Sequence, residues 1–218
     1  MALDFDTDTS GPAACILKPV NLHNHGELEL LRAQRQECGW DYDTARLDIW
    51  RSAADAGTKC LFWITIPSPA TAQSLVTAGH ISLDSISSSE DYGLELARPD
   101  KSLLNVSTFF VRPEYRAKGI GREAMAQVER LATSEPFGSP SCTAITIMSL
   151  SCKYVEDDPW RACYLRWTGE EPLSYERWYA KLGYVKWKEE ACTKGISMDG
   201  EQFVLVEAFM RKILDVGR

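Results

Sequence analysis

The chain has 218 residues, a formal net charge of −7, an apolar fraction of 44% and a charged fraction of 25%, a balance that fits a soluble globular protein and excludes a fibrous or wholly disordered one. Its acidity argues against broad nucleic-acid binding, which needs many Lys and Arg to neutralise phosphates, and no apolar run reaches the roughly 18 residues of a membrane span. Cys15, Cys38, Cys60, Cys142, Cys152, Cys163 and Cys192 form no Cys-x-x-Cys pair and there are only three histidines, so neither a disulfide framework nor a metal site is expected.

Residues 1–12 are acidic and polar and read as a mobile leader ahead of one domain at 13–218. Reduced thiols and the lack of a secretory signal in this leader point to the cytoplasm. A short apolar run at 15–20 predicts a first strand, and helical spacing predicts helices over 23–38 and 44–56, the second with Leu47, Trp50 and Ala54 on one face. Residues 60–66 are continuously apolar up to Pro67, which predicts a central strand. In 79–86, Ile81 and Leu83 alternate with His80, Ser82 and Asp84, the pattern of a strand with one wet face.

A Ser-rich, acidic loop follows at 85–101, and then β-branched and aromatic residues predict one strand over 105–111. Ile120, Ala124, Met125, Val128, Leu131 and Ala132 recur at helical spacing until Pro136 and Gly138. A buried strand is expected at 143–150. Residues 151–172 break the rhythm with acids, Pro159 and Gly169, and an inserted substrate-side loop is expected at about 151–173. A short helix at 174–183 and strands at 184–188 and 202–210 complete an α/β alternation.

The glycines of Arg116-Ala117-Lys118-Gly119-Ile120-Gly121 therefore sit where a helix begins. A helix N-terminus offers unpaired N–H groups and a positive dipole end, and glycines let a phosphate approach the backbone. Arg112, Arg116, Lys118 and Arg122 add local positive charge. Gly119-x-Gly121-x-x-Ala124 also satisfies the dinucleotide fingerprint, but residues 112–118 separate strand from first glycine where that fold uses a tight turn, and no Walker A sequence is present.

This motif, entered from Phe109-Phe110-Val111-Arg112-Pro113-Glu114-Tyr115, resembles the central [QR]-x-x-G-x-[GA] motif of the GNAT superfamily of acetyl-CoA-dependent N-acyltransferases. Trp178-Tyr179-Ala180-Lys181-Leu182-Gly183-Tyr184 is similar to the family's late helix and following strand, and Gly79-His80-Ile81-Ser82-Leu83 to its Gly-led strand. The resemblance implies an α/β (α+β) fold, a mixed and twisted sheet with helices on both faces, and coenzyme A lying where two central strands splay. It implies that backbone groups of Phe109, Phe110 and Val111 meet the pantetheine arm. Arg116, Ala117, Lys118, Gly119, Ile120, Gly121 and Arg122 would cradle the pyrophosphate. Tyr179 takes the general-acid position, where a phenol with an ordinary pKa of about 10 can protonate a thiolate whose acid is near 8.5.

The implied activity is acetyl transfer from acetyl-CoA to a primary amine, foremost of a small molecule, by direct attack in a ternary complex. Acetylation of a peptide or protein lysine, or acyl-CoA sensing without turnover, are the alternatives. No metal, nucleic-acid or membrane partner is implied, and monomer and homodimer are both open. The residues 107–110 offer no carboxylate base; His80 and Asp84 share a strand face and are the candidates for base or acceptor cleft. In the insertion, Asp157, Asp158, Trp160, Tyr164 and Trp167 place aromatics beside acids, either a cage for an amine or a self-packed lid. The acidic loop near Asp91 is a second candidate wall.

Overall fold

The computed structural model describes residues 15–68, 71, 74–87, 93–197 and 199–215. The expected leader and Asp91 lie outside the described residues.

One sheet contains β1 (Ile16–Pro19), β2 (Lys59–Pro67), β3 (Leu75–Asp84), β4 (Leu103–Val106), β5 (Phe109–Val111), β6 (Ala144–Leu150), β7 (Val185–Ile196) and β8 (Gln202–Ile213). Its order is β1-β2-β3-β4-β6-β8-β7, with β5 paired to β3. The β4–β6 pair is parallel and the other pairs are antiparallel. The helices are α1 (His25–Cys38), α2 (Thr44–Asp55), α3 (Ile120–Ala132), α4 (Lys153–Glu156), α5 (Asp158–Thr168) and α6 (Tyr175–Lys181).

The central strands β2 and β4 bury both faces, whereas the edge strands β1 and β7 are largely exposed. Leu31 of α1 and Leu47 and Trp50 of α2 pack on Leu61 and Trp63 of β2. On the opposite face, Ala124, Met125 and Val128 of α3 and Tyr179 of α6 join Phe62, Ile81, Leu83, Leu104, Val106, Ile145 and Met210. Burying a Val, Leu or Ile side chain of this kind stabilises by about 1.5–3 kcal/mol. Asn24 caps α1 by accepting from the Glu27 N–H, which moves the helix start two residues beyond the predicted position.

Four expectations are corrected. The single strand expected over 105–111 is two, broken at Ser107 and Thr108, because β4 pairs with β6 while β5 pairs only with β3. The polar face of β3 is not wet: His80, Ser82 and Asp84 are buried beneath α1 and α2. The insertion is helical, since Asp157 caps α5 by accepting from the Trp160 N–H, Pro159 occupies its first turn and Gly169 closes it with a left-handed φ of 72°. Finally, β7 runs to Ile196, not Lys188, because it pairs along its length with β8.

Candidate active site

The parallel pairing of β4 with β6 ends at Val106 and Ile147. Beyond that point the two sides of the sheet part, β5 staying with β3 and β6 with β8. The Ser82 N–H donates to the Thr108 carbonyl at 2.8 Å and the Arg112 N–H to the Ala78 carbonyl at 2.9 Å, so Thr108, Phe110 and Arg112 turn their backbone groups towards β3. By strand alternation, the N–H and C=O groups of Phe109 and Val111 turn into the gap. Glycine is required opposite them: a Cβ on Gly79 would lie 2.0 Å from the Phe110 carbonyl oxygen.

From β5 the chain passes through a 3-10 turn at Pro113–Tyr115 and left-handed residues Ala117 (φ 57°) and Gly119 (φ 74°) into α3. Among the described residues, the N–H groups of residues 117–122 have no backbone acceptor. With Ala117 and Gly119 left-handed, these donors form a concave run of N–H groups at the helix start. Arg116 Nε donates to the Val111 carbonyl at 2.8 Å and Lys118 Nζ to the Glu114 carbonyl at 2.8 Å, which ties both cations to the loop. Arg112 is held by Glu37 and Glu114. A Cβ on Gly121 would touch Phe109 and Trp178, each at 3.4 Å, so these rings floor the crevice at the helix start.

Tyr179 lies in α6, 7% exposed, with its ring 4.9 Å from that of Trp178 and 5.9 Å from that of Tyr184. Its hydroxyl has no hydrogen-bond partner among the described residues. Burial, with a smaller contribution from Tyr175, pushes the phenol well above its ordinary value, away from the match to a thiol expected from reference values. The side chain stays protonated at physiological pH and offers a hydrogen-bond donor.

His80 and Asp84, the candidates for base or acceptor cleft, do share a face of β3, and both are buried there. His80 Nδ1 contacts Gln34 Oε1 at 2.8 Å, and burial, with Arg35 and Lys59 nearby, holds the imidazole well below its usual pKa and neutral. Asp84 pairs with Lys59 at 2.7 Å, both side chains buried. Sequence reasoning missed Lys59 and Ser107. Lys59 Nζ also donates to Ser82 at 3.2 Å and Ser107 at 3.0 Å, and the Ser107 hydroxyl makes a short hydrogen bond to Asp84 Oδ2.

In the insertion, Trp160 packs edge-on against Tyr154 at 5.5 Å, Tyr164 against the same ring at 5.6 Å, and Trp167 stacks on Phe203 at 5.1 Å. Asp157 is occupied as a helix cap, and Asp158 lies exposed in the first turn. The aromatics therefore pack against α4 and β8 and form no cage with these acids. The Tyr154 hydroxyl accepts from the Val206 N–H at 2.9 Å, replacing a strand partner where β6 has ended. Beside this packing, Glu207 of β8 is buried and burial raises its carboxyl to about 7, a site no sequence pattern signalled.

The described residues contain no group of three or more His, Cys, Asp and Glu side chains able to hold a metal, and no helix among them is long and apolar enough to cross a membrane. A mixed sheet that splays beside a glycine-headed helix N-terminus defines an acyltransferase type of α/β fold. The acetyltransferase (GNAT) family profile matches residues 29–149, more than half of the chain, and the chain belongs to that family. No curated protein sequence matches it significantly.

Solved structures share the fold at low identity. Arabidopsis thaliana NAA60 in complex with a bisubstrate analogue superposes with a TM-score of 0.59 at 14% identity, covering 92% of this chain and 99% of that one. The same protein in complex with acetyl-CoA gives 0.55 at 14%, covering 93% and 99%. Ard1 from Thermoplasma volcanium gives 0.54 at 13%, covering 92% and 98%. Mutant forms of the spermidine/spermine N-acetyltransferase SpeG from Vibrio cholerae give 0.53 at 12%, covering 93% and 96%.

Proposed function

We propose that this chain transfers an acetyl group from acetyl-CoA to the primary amine of a small molecule, by direct attack in a ternary complex. The observation that carries this reading is the run of unpaired amides at 117–122, set at the N-terminus of α3 beside the gap between β5 and β6. The amides and the dipole of α3 suit the pyrophosphate. Phe109, Phe110 and Val111 supply the strand along which the pantetheine arm extends, with the Phe109 backbone groups and the Val111 N–H turned into the gap to pair with its amides, while the Val111 carbonyl accepts from Arg116. Arg116, Lys118 and Arg122 add charge at the mouth.

Direct attack requires no covalent carrier, and burial, which raises Cys15 to about 11 and Cys152 to about 12, keeps these two thiols protonated. Tyr179 donates a hydrogen bond to the departing sulfur; its raised pKa favours this over full proton release until negative charge has developed there.

The test is release of free thiol from acetyl-CoA with a panel of polyamines, aralkylamines and peptides bearing a free α-amine or lysine. Saturable turnover with a small amine supports the reading. Turnover confined to peptides reassigns the acceptor, and acetyl-CoA binding without any turnover makes the chain a sensor.

A further inference from the structure

The polar seam under α1 and α2 reaches solvent at one point beside the gap. Lys59, Ser82 and Asp84 are buried, whereas Ser107, at the break between β4 and β5, is exposed. Across the opening, Met148 is the exposed residue of an otherwise largely buried β6, 38% accessible. Ser107 and Met148 lie on one side of the sheet. Asn105, two residues before Ser107, donates to Thr146, two residues before Met148, and Asp84 pairs with Asn105. Solvent thus enters the middle of the sheet at the apex of the splay, on the face opposite α3.

We propose that Ser107 is a catalytic residue of the acyl transfer, accepting the proton of the attacking amine while passing its own proton to Asp84. The inference rests on the acyltransferase reading above. Lys59 Nζ spends its three donors on Asp84 at 2.7 Å, Ser107 at 3.0 Å and Ser82 at 3.2 Å, and so fixes the carboxylate and the serine oxygen together. The Ser107 hydrogen is committed to Asp84 Oδ2 and one lone pair accepts from Lys59 Nζ, which leaves the other lone pair for a further donor. The contact with Ser82, 3.3 Å, is the longest of the set, and an incoming N–H replaces it most easily. Asp84 Oδ1 is buried with no partner, so the carboxylate has unused acceptor capacity.

The step balances without any further reactant. The amine nitrogen bonds to the acyl carbon and the C–S bond breaks, its electron pair leaving with sulfur. The nitrogen's proton moves to Ser107 Oγ as the serine's own proton moves to Asp84, and the sulfur takes a proton by way of Tyr179. When the amide departs, the relay returns its proton to solvent through exposed Ser107, and Tyr179 regains one. Asp84 and Lys59 act through Ser107 as positioning residues.

Ser107→Ala removes the exposed hydroxyl and leaves the direct Lys59–Asp84 pair, so the fold is expected to persist. With acetyl-CoA and the best amine of the panel, it should lower kcat by about 10–100-fold, towards the lower range for a lost acid–base group because water can partly replace the hydroxyl. Ser107→Thr, which keeps the hydroxyl, should restore most of that loss. A second readout needs no turnover: affinity of the same amine for the protein saturated with unacylated coenzyme A should fall about fivefold in Ser107→Ala, as for one lost hydrogen bond. Acetyl-CoA affinity should not change. An alanine variant with wild-type kcat and amine affinity overturns the relay while leaving the acyltransferase reading intact. A native chain that binds no acetyl-CoA overturns both.

Discussion

The ring of Phe109 lies against that of Trp178, centroids 5.9 Å apart and inclined by 31°, and the pair forms the floor beneath Gly121. Strand β5, helix α6 and the start of α3 meet at these rings, so the crevice floor depends on their packing. Trp178→Ala should destabilise the protein by about 2–3 kcal/mol, below the range for fully buried aromatics because Trp178 is half-buried. It should also weaken acetyl-CoA binding several-fold. Trp178→Phe, which keeps a ring in place, should retain most of both in denaturant titration and calorimetry.

The approach of β5 to β3 is set at Gly79. Because a Cβ there would collide with backbone, which cannot rotate away, Gly79→Ala is expected to cost about 3 kcal/mol, the upper part of the overpacking range. Urea unfolding at fixed pH measures it. A variant as stable as the native chain would show that β5 can shift freely.

Tyr179→Phe removes one hydroxyl and no ring packing. It should leave the melting temperature and acetyl-CoA affinity in place while kcat falls about 100-fold, as for loss of one donor to developing charge. Because burial raises the phenol, the native enzyme should show no loss of activity from this group between pH 7 and 9. An unchanged kcat in the phenylalanine variant would remove Tyr179 from the chemistry and leave it as core.

Glu207 supplies a pH-dependent stability term. Its carboxyl is raised from an ordinary 4.5 to about 7, so the folded state holds the proton more tightly than the unfolded chain. The cost of ionising it is therefore absent below pH 4.5, grows between 4.5 and 7, and is fully present above. Glu207→Gln, neutral at every pH, should gain on the order of 2–3 kcal/mol over the native protein at pH 8 and little at pH 5. Thermal melts at the two pH values decide it, and an equal effect at both would contradict the shift.

The glycine-headed start of α3 was legible because its signals are local: glycine spacing, the preceding strand and the following periodicity all fall within a short stretch. The face of β3 was misread because alternation reveals which residues share a side, not what covers them; the covering residues, Gln34 and Trp50, come from helices earlier in the chain. Ser107 and Lys59 carried no pattern, since their contact joins positions 48 apart. In the insertion, Asp157, Pro159 and Gly169 are turn signals and helix-boundary signals alike. Without the aromatic run between them being tested against Tyr154 and Phe203, the sequence favoured a loop.

The central claim is that the amides heading α3 bind the pyrophosphate of acetyl-CoA, and Gly121 is the position closest to that claim. A Cβ there meets the protein only at ordinary contact distance, so a carboxylate placed on it would oppose the ligand more than the fold. Calorimetric titration of acetyl-CoA into the native protein and into Gly121→Glu, with melting curves recorded alongside, is the direct measurement. The account predicts saturable binding by the native chain and a loss of at least about 100-fold in the folded variant, as like charges are brought together. Equal affinity in the two proteins would contradict it.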